Sequence, residues 1–144
     1  MDNKLEYIPG DLVMVKSSAL QFAKDKIFKV ISSLSGGFLK VVMLNDSSTT
    51  YSISNNAIRP IPLTTEILEK NGWKFIGHQL DFGGFLFDIY SKRDILPYLY
   101  SYYATKDFSV SICGELVLPN MKYVHELQHI LFGMGINHEM EVYV

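Results

Sequence analysis

Pro60 and Pro62 place the tightest local restriction on this 144-residue chain. Proline fixes its own φ, removes a backbone donor and biases the residue before it toward extended backbone. A strand-rich region has to end there, and a subdomain boundary is expected at residue 62. Upstream, short apolar or alternating runs at 12–15, 26–31, 38–44, 50–53 and 57–59 read as strands. Pro9-Gly10-Asp11, Ser35-Gly36-Gly37 and Asn45-Asp46-Ser47-Ser48 supply the turns. Four or five short strands joined by tight turns predict an SH3-like small β barrel over residues 1–62, with a simple meander as the alternative.

Downstream, residues 63–144 read as an α+β subdomain. Thr64 is placed to cap a helix, Glu66 complements its dipole and Asn71-Gly72 ends it. Leu63 and Leu68 have staple spacing, and Trp73 is expected in the core beside them. Residues 85–90 alternate, with Phe85, Phe87 and Ile89 on one face. A half-buried strand is expected at 108–113, with Cys113 buried in it. A turn at Gly114-Glu115 leads into a strand at 116–118, and Pro119-Asn120 separates that strand from a last helix that closes the sheet. The fold class expected is therefore α+β: a small barrel, a helix, an antiparallel sheet and a C-terminal helix.

That last helix carries the string His125-Glu126-Leu127-Gln128-His129. Histidines at i and i+4 share a helix face and can hold zinc, and the adjacent glutamate can act as base on a zinc-bound water. A zinc hydrolase would use His125 and His129 as ligands, Glu126 as base and His138 as third ligand. The spacing departs from the peptidase pattern whose third histidine follows the second by six residues; here that position is Gly135. An upstream ligand such as His78 or Asp81 is not singled out. At about 100° per residue, Tyr123, Val124, Leu127, Ile130, Leu131 and Met134 form an apolar stripe. Both histidines then fall roughly opposite it, in or near water. The favoured expectation is a scaffold helix with no catalytic residue, no metal and no cofactor; zinc is the alternative.

Two segments carry a family resemblance. Tyr123-Val124-His125-Glu126-Leu127-Gln128 through Phe132 resembles the C-terminal signature Tyr-Val-His-Gln-Leu-Gln-Asn of a set of small uncharacterised proteins found in Bacteroidetes, prophages and mobile elements. Ile58-Arg59-Pro60-Ile61-Pro62-Leu63-Thr64-Thr65-Glu66-Ile67-Leu68-Glu69-Lys70-Asn71-Gly72-Trp73 is similar to a second segment of that family, Pro-Ile-Pro-Leu-Thr-Pro-Glu-Ile-Leu-Glu-Lys-x-Gly-Phe. Glu126 and His129 stand where the family usually has Gln and Asn. The resemblance implies a zinc string that arose by two substitutions on a structural helix, and it implies no particular activity.

Composition removes other classes. A net charge of −2 weighs against a dedicated nucleic-acid binder. Phe22, Lys24, Lys26, Lys29 and Lys40 could still form a weak nucleic-acid patch on the barrel, although alternation along strands normally turns lysines to solvent. One cysteine excludes an internal disulfide. No apolar run suggests a signal peptide or a membrane span, so a cytoplasmic protein is expected, without membrane contact. Gly83-Gly84 is too short and unpatterned for a phosphate loop, and Asp81, Asp88 and Asp94 are scattered. Residues 95–105 are the least regular, yet Tyr98, Tyr100 and Tyr102 alternate as on a strand, with Tyr90 and Tyr103 near in sequence. Three tyrosines on one face offer apolar area and hydroxyls together, which suits recognition of a protein partner. Ordinary sheet packing with the hydroxyls at the rim is the favoured expectation, and recognition the alternative. The leading expectation is a non-enzymatic accessory or interaction protein, phage or mobile-element encoded.

Overall fold

The computed structural model describes residues 7–15, 26–44 and 46–142. The chain divides into two compact units, residues 1–62 with 123–144, and residues 63–122. One boundary between the units lies after Pro62. The last helix, expected to close the second sheet, belongs instead to the first unit.

The first unit holds strands β1 (Leu12–Val15), β2 (Ile27–Leu34), β3 (Phe38–Met43), β4 (Asp46–Ser54) and β5 (Ile58–Pro60). They form one antiparallel sheet in the order β4-β3-β2-β1-β5. Among the described residues β4 and β5 are its two edges and do not pair, so the sheet is not closed into a barrel. Each strand contributes alternate apolar side chains to one face. Val13, Val15, Phe28, Val30, Leu39, Val41, Ile53 and Ile58 bury together as the core. A register shift between Val30 and Ser32 bends β2 where it leaves that core.

Two crossings carry the chain between units, and they are paired. Pro62 and Tyr123 form an antiparallel bridge. Leu63 N–H donates to Lys122 O and Val124 N–H to Ile61 O, both at 2.8 Å. Residues 63–122 are thus an insertion in the first unit. Helix α2 (Val124–Gly133) starts directly after the returning crossing. Glu126 Oε1 accepts the Tyr123 N–H at 3.0 Å, so the carboxylate serves the helix N-terminus.

Helix α2 is held to the first sheet by a polar clamp. Gln128 is wholly buried. Its Oε1 accepts Leu12 N–H, and its Nε2 donates to Gly10 O and His138 O, each at 2.9 Å. One amide therefore ties the helix to the start of β1, to the turn before it and to the C-terminal segment.

The second unit begins with helix α1 (Thr65–Lys70). Thr64 Oγ1 caps it by accepting Ile67 N–H at 3.2 Å. Strands β6 (Trp73–Leu80), β7 (Leu86–Lys92), β8 (Tyr98–Tyr102), β9 (Phe108–Ile112) and β10 (Glu115–Met121) form an antiparallel sheet in sequence order. Tyr90, Leu99 and Val110 are cross-strand neighbours on one face. They are buried, as are Leu68, Trp73, Phe108 and Met121. Strand β10 runs through Pro119-Asn120 to Met121, kept paired by register shifts where a break was expected. Cys113 is exposed in the β9–β10 turn at φ 53°, next to Gly114 at φ 84°, and not in the strand. Among the described residues no helix is long and apolar enough to cross a membrane.

Replacing Gln128 by Leu leaves one N–H and two carbonyls buried without their partner. At roughly 1 kcal/mol or more for each orphaned group, the variant is expected to lose about 3 kcal/mol. Urea unfolding of the two proteins, compared at equal m, measures it.

Candidate functional site

The histidine string lies in the first unit, and its setting corrects the expected orientation. His125 is only 3% exposed. Its ring lies 5.1 Å from that of Tyr7 and stacks on Tyr123 at 5.9 Å. His129 is half-buried, its ring edge-on to His125 at 5.5 Å. Its Nε2 lies 2.6 Å from Oδ2 of Asp11, a fully buried carboxylate that also accepts Ile8 N–H at 2.8 Å. His138 points elsewhere: its Nε2 meets Pro9 O at 3.0 Å, and its ring packs on Phe132. Gly10 makes that placement available. It sits at φ 97°, and a Cβ there would stand 2.7 Å from His138 Nε2.

The physical reason for the correction is the buried amide. The helix face against the sheet is centred near Gln128, with Val124, His125, Leu127 and Leu131 around it. Ile130 and Met134, assigned to the stripe by their apolarity, are only half-buried. The docked face is rotated by roughly a quarter turn from the apolar stripe.

Burial dominates the electrostatics here. It pushes His125 down to about 4, helped by the charge of His129 and opposed by Glu126. It raises the Asp11 carboxyl, against the Ile8 hydrogen bond and His129. It raises Tyr7 to about 12, with Asp11 adding to the shift. The Asp11–His129 pair is of the kind that orients an imidazole for proton transfer. Among the described residues, neither member is hydrogen-bonded to a serine, threonine or cysteine side chain. No three His, Cys, Asp or Glu side chains among those residues are grouped so that they could hold a metal ion. Glu126 Oε1 is engaged at the helix N-terminus, and His138 is engaged by Pro9 O and Phe132 rather than by the adjacent His125 and His129 rings.

The second unit carries a different kind of site. Tyr98, Tyr100 and Tyr102 project from one face of β8, as their alternation predicts. Their cross-strand neighbours are Ser111, Ser109 and Phe87 in turn. The Phe87 ring packs against Tyr100 at 4.5 Å and Tyr102 at 5.0 Å. Phe87, Ser109 and Ser111 are buried, whereas Tyr98 is 43% exposed and Tyr100 and Tyr102 are half-buried. Tyr90 is not part of this group. It pairs with Leu99 on the opposite face, is buried, and packs edge-on against Phe75. Tyr103 turns its hydroxyl to Asp88, donating at 2.5 Å.

At the Tyr102 end of this face lies a cleft of about 240 Å³, lined among others by Asp81, Phe85, Tyr102, Thr105, Leu116 and Asn120. Asp81 follows β6 directly, and its Oδ1 accepts Gly83 N–H at 2.8 Å and Phe85 N–H at 2.9 Å. The Gly83-Gly84 segment is thus a carboxylate-capped hairpin turn. Burial raises the Tyr102 phenol and Asp81 raises it further, so its proton stays on as a donor. Sequence reasoning found the tyrosines and missed the cleft. Its parts come from three separated segments, and only the aspartate beside two glycines marked the turn.

The other candidates are dispersed. Lys26 and Lys40 are exposed and Lys29 is half-buried on the first sheet, while Phe22 and Lys24 lie outside the described residues. Asp88 is bonded to Tyr103, and Asp94 is exposed beside Arg93. His78 stands opposite Asp88 in the β6–β7 ladder, away from the other histidines in sequence and in unit. Trp73 is buried at the start of β6, as expected of a core residue. No protein-family model matches the chain, and no curated protein does.

The burial of a neutral His125 predicts acid sensitivity. An unfolded histidine binds its proton near 6.5, the folded one near 4. Stability from this group is full above pH 6.5 and falls as the pH drops toward 4, by about 3 kcal/mol in all. Asp11 has the opposite sign, since its raised carboxyl favours the folded state at low pH and loses that contribution as pH rises. His125→Phe keeps the ring contacts and removes the titration. Urea midpoints measured from pH 7.5 to 4.5 should fall steeply for the parent and much less for the variant. Parallel curves would contradict it.

Proposed function

We propose that this is a non-enzymatic accessory or interaction protein whose contact surface is the tyrosine face of the second unit, around Tyr98, Tyr100 and Tyr102. The observation that carries the reading is the distribution of exposed large apolar side chains. Ten of the fourteen among the described residues fall within residues 63–122; of these Tyr98 lies on the tyrosine face, and Phe85 and Leu116 line the cleft at its end. Exposed apolar area concentrated in one region, with polar atoms among it, is the usual mark of a protein–protein site. Tyrosines supply such area at small entropic cost, because two torsions fix a large ring.

The first unit is read as an SH3-like scaffold. Support comes from five short strands in a meander whose last strand returns beside the first. Its lysines are a weaker candidate for nucleic-acid contact. The resemblance of the two segments around Pro60–Trp73 and Tyr123–Phe132 supports a phage or mobile-element origin, and a cytoplasmic setting accords with the exposed single thiol. The reading that competes from another class is a zinc hydrolase with His125 and His129 as ligands, Glu126 as base and His138 completing the set.

A photo-crosslinking amino acid placed at Tyr98 should give a discrete adduct with one host or co-encoded protein in cells. The same residue at Leu34, exposed in the first unit, should not. Equal adducts at both positions, or none, would defeat the reading. Zinc measured on protein purified without a nickel column is expected far below one per chain. Stoichiometric zinc that disappears in His129→Ala would put the hydrolase in its place.

A further inference from the structure

We propose that the cleft beside Tyr102 takes a lysine side chain of the partner protein. This deepens the interaction reading of the tyrosine face and rests on it. Three features of the cleft select the occupant. The first is size. Pockets for small organic ligands run from about 300 Å³ upward, and this one, at about 240 Å³, fits a single long side chain.

The second is charge. Asp81 is the one ionic side chain among the residues lining the cleft. A buried or half-buried carboxylate draws a cation, and no lysine, arginine or histidine of the lining supplies one. Phe85 and Tyr102 add aromatic faces, which attract an ammonium group. Leu116 offers apolar surface for the methylene stem.

The third is the state of the carboxylate. Oδ1 of Asp81 already accepts two backbone N–H groups, from Gly83 and Phe85. Those bonds fix its orientation, and among the described residues Oδ2 has no hydrogen bond. A guanidinium binds a carboxylate best through both oxygens at once. With Oδ1 taken, a single free oxygen suits the point charge of an ammonium group. The oxygens of Thr105 and Asn120, in the same lining, can accept its remaining N–H groups. Lysine is therefore preferred to arginine, and both to a neutral side chain of the same length.

The probes are the Nα-acetyl methylamides of lysine, arginine and norleucine, titrated into the whole protein and followed by backbone and aromatic NMR shifts. The lysine compound should move Asp81, Phe85 and Tyr102 signals at millimolar concentration, arginine less and norleucine least. Asp81→Asn keeps an oxygen for Gly83 and Phe85 and removes the charge, so the turn is retained. It should weaken lysine binding by about tenfold, as loss of a charge-assisted contact does. Leu116→Lys, at an exposed position, seats a resident ammonium in the cleft and should abolish the shifts without lowering stability. Norleucine binding as tightly as lysine, undiminished binding in both variants, or shifts that map elsewhere would overturn the proposal. The titration needs no partner. A failed cell crosslink with a positive titration therefore removes the interaction reading alone, and the reverse pair of results removes the lysine.

Discussion

The paired crossing at residues 61–63 and 122–124 is the constraint on which the rest depends. Ile61 and Leu63 exchange backbone hydrogen bonds with Val124 and Lys122, on either side of the Pro62–Tyr123 bridge. Proline can sit at such a place because its missing N–H is not asked for. Once the crossings are paired, the helix that follows Tyr123 starts within the first unit. Its ten residues belong to that unit. The Gln128 amide completes the placement by satisfying backbone groups of three segments that have no ladder partner there. A buried amide is tolerable only when all its groups are met, and here Oε1 and Nε2 both are.

This explains which parts were legible in the sequence. Strands β2, β3 and β4 follow from apolar alternation between glycine- or asparagine-rich turns, and α1 from Thr64 and Gly72, because each signal is local. The break at residue 62 is also local. The partner of α2 is not, because apolarity alone weighs Ile130 and Met134 above Gln128. A helix face whose centre is an amide reads as polar, and His125 beside it was placed in water for the same reason. The zinc string was thus visible as letters, while its meaning depended on the non-local contact of Gln128 with Gly10 and Leu12.

The second sheet shows the same division. β8 was legible from its alternating tyrosines. β9 was only half so: its serines look solvent-facing, yet Ser109 and Ser111 are buried as neighbours of Tyr100 and Tyr98. Small polar residues under large rings disappear from water without changing the pattern of letters. β6 went unread because, after Trp73, its side chains are mostly exposed and follow no alternation. An edge strand has less burial to write into its sequence.

The second unit has a five-stranded sheet and only one six-residue helix of its own. A short helix covers part of one face, where Leu68, Trp73 and Tyr90 are buried. On the other face Phe87, Ser109 and Ser111 are buried as cross-strand neighbours of Tyr102, Tyr100 and Tyr98. Leucine or isoleucine there would leave apolar area in water at about 25 cal/mol per Å². Tyrosine lies over Phe87 and the serines while its hydroxyl reaches solvent, so half-burial is tolerated. The raised phenol of Tyr102 keeps that hydroxyl a donor at neutral pH. The same choice that makes the face stable alone leaves ring area and a donor available to a second molecule. On the proposed reading, folding and recognition would draw on one set of residues, and a face built this way could exchange water for a partner without rearranging the sheet beneath it.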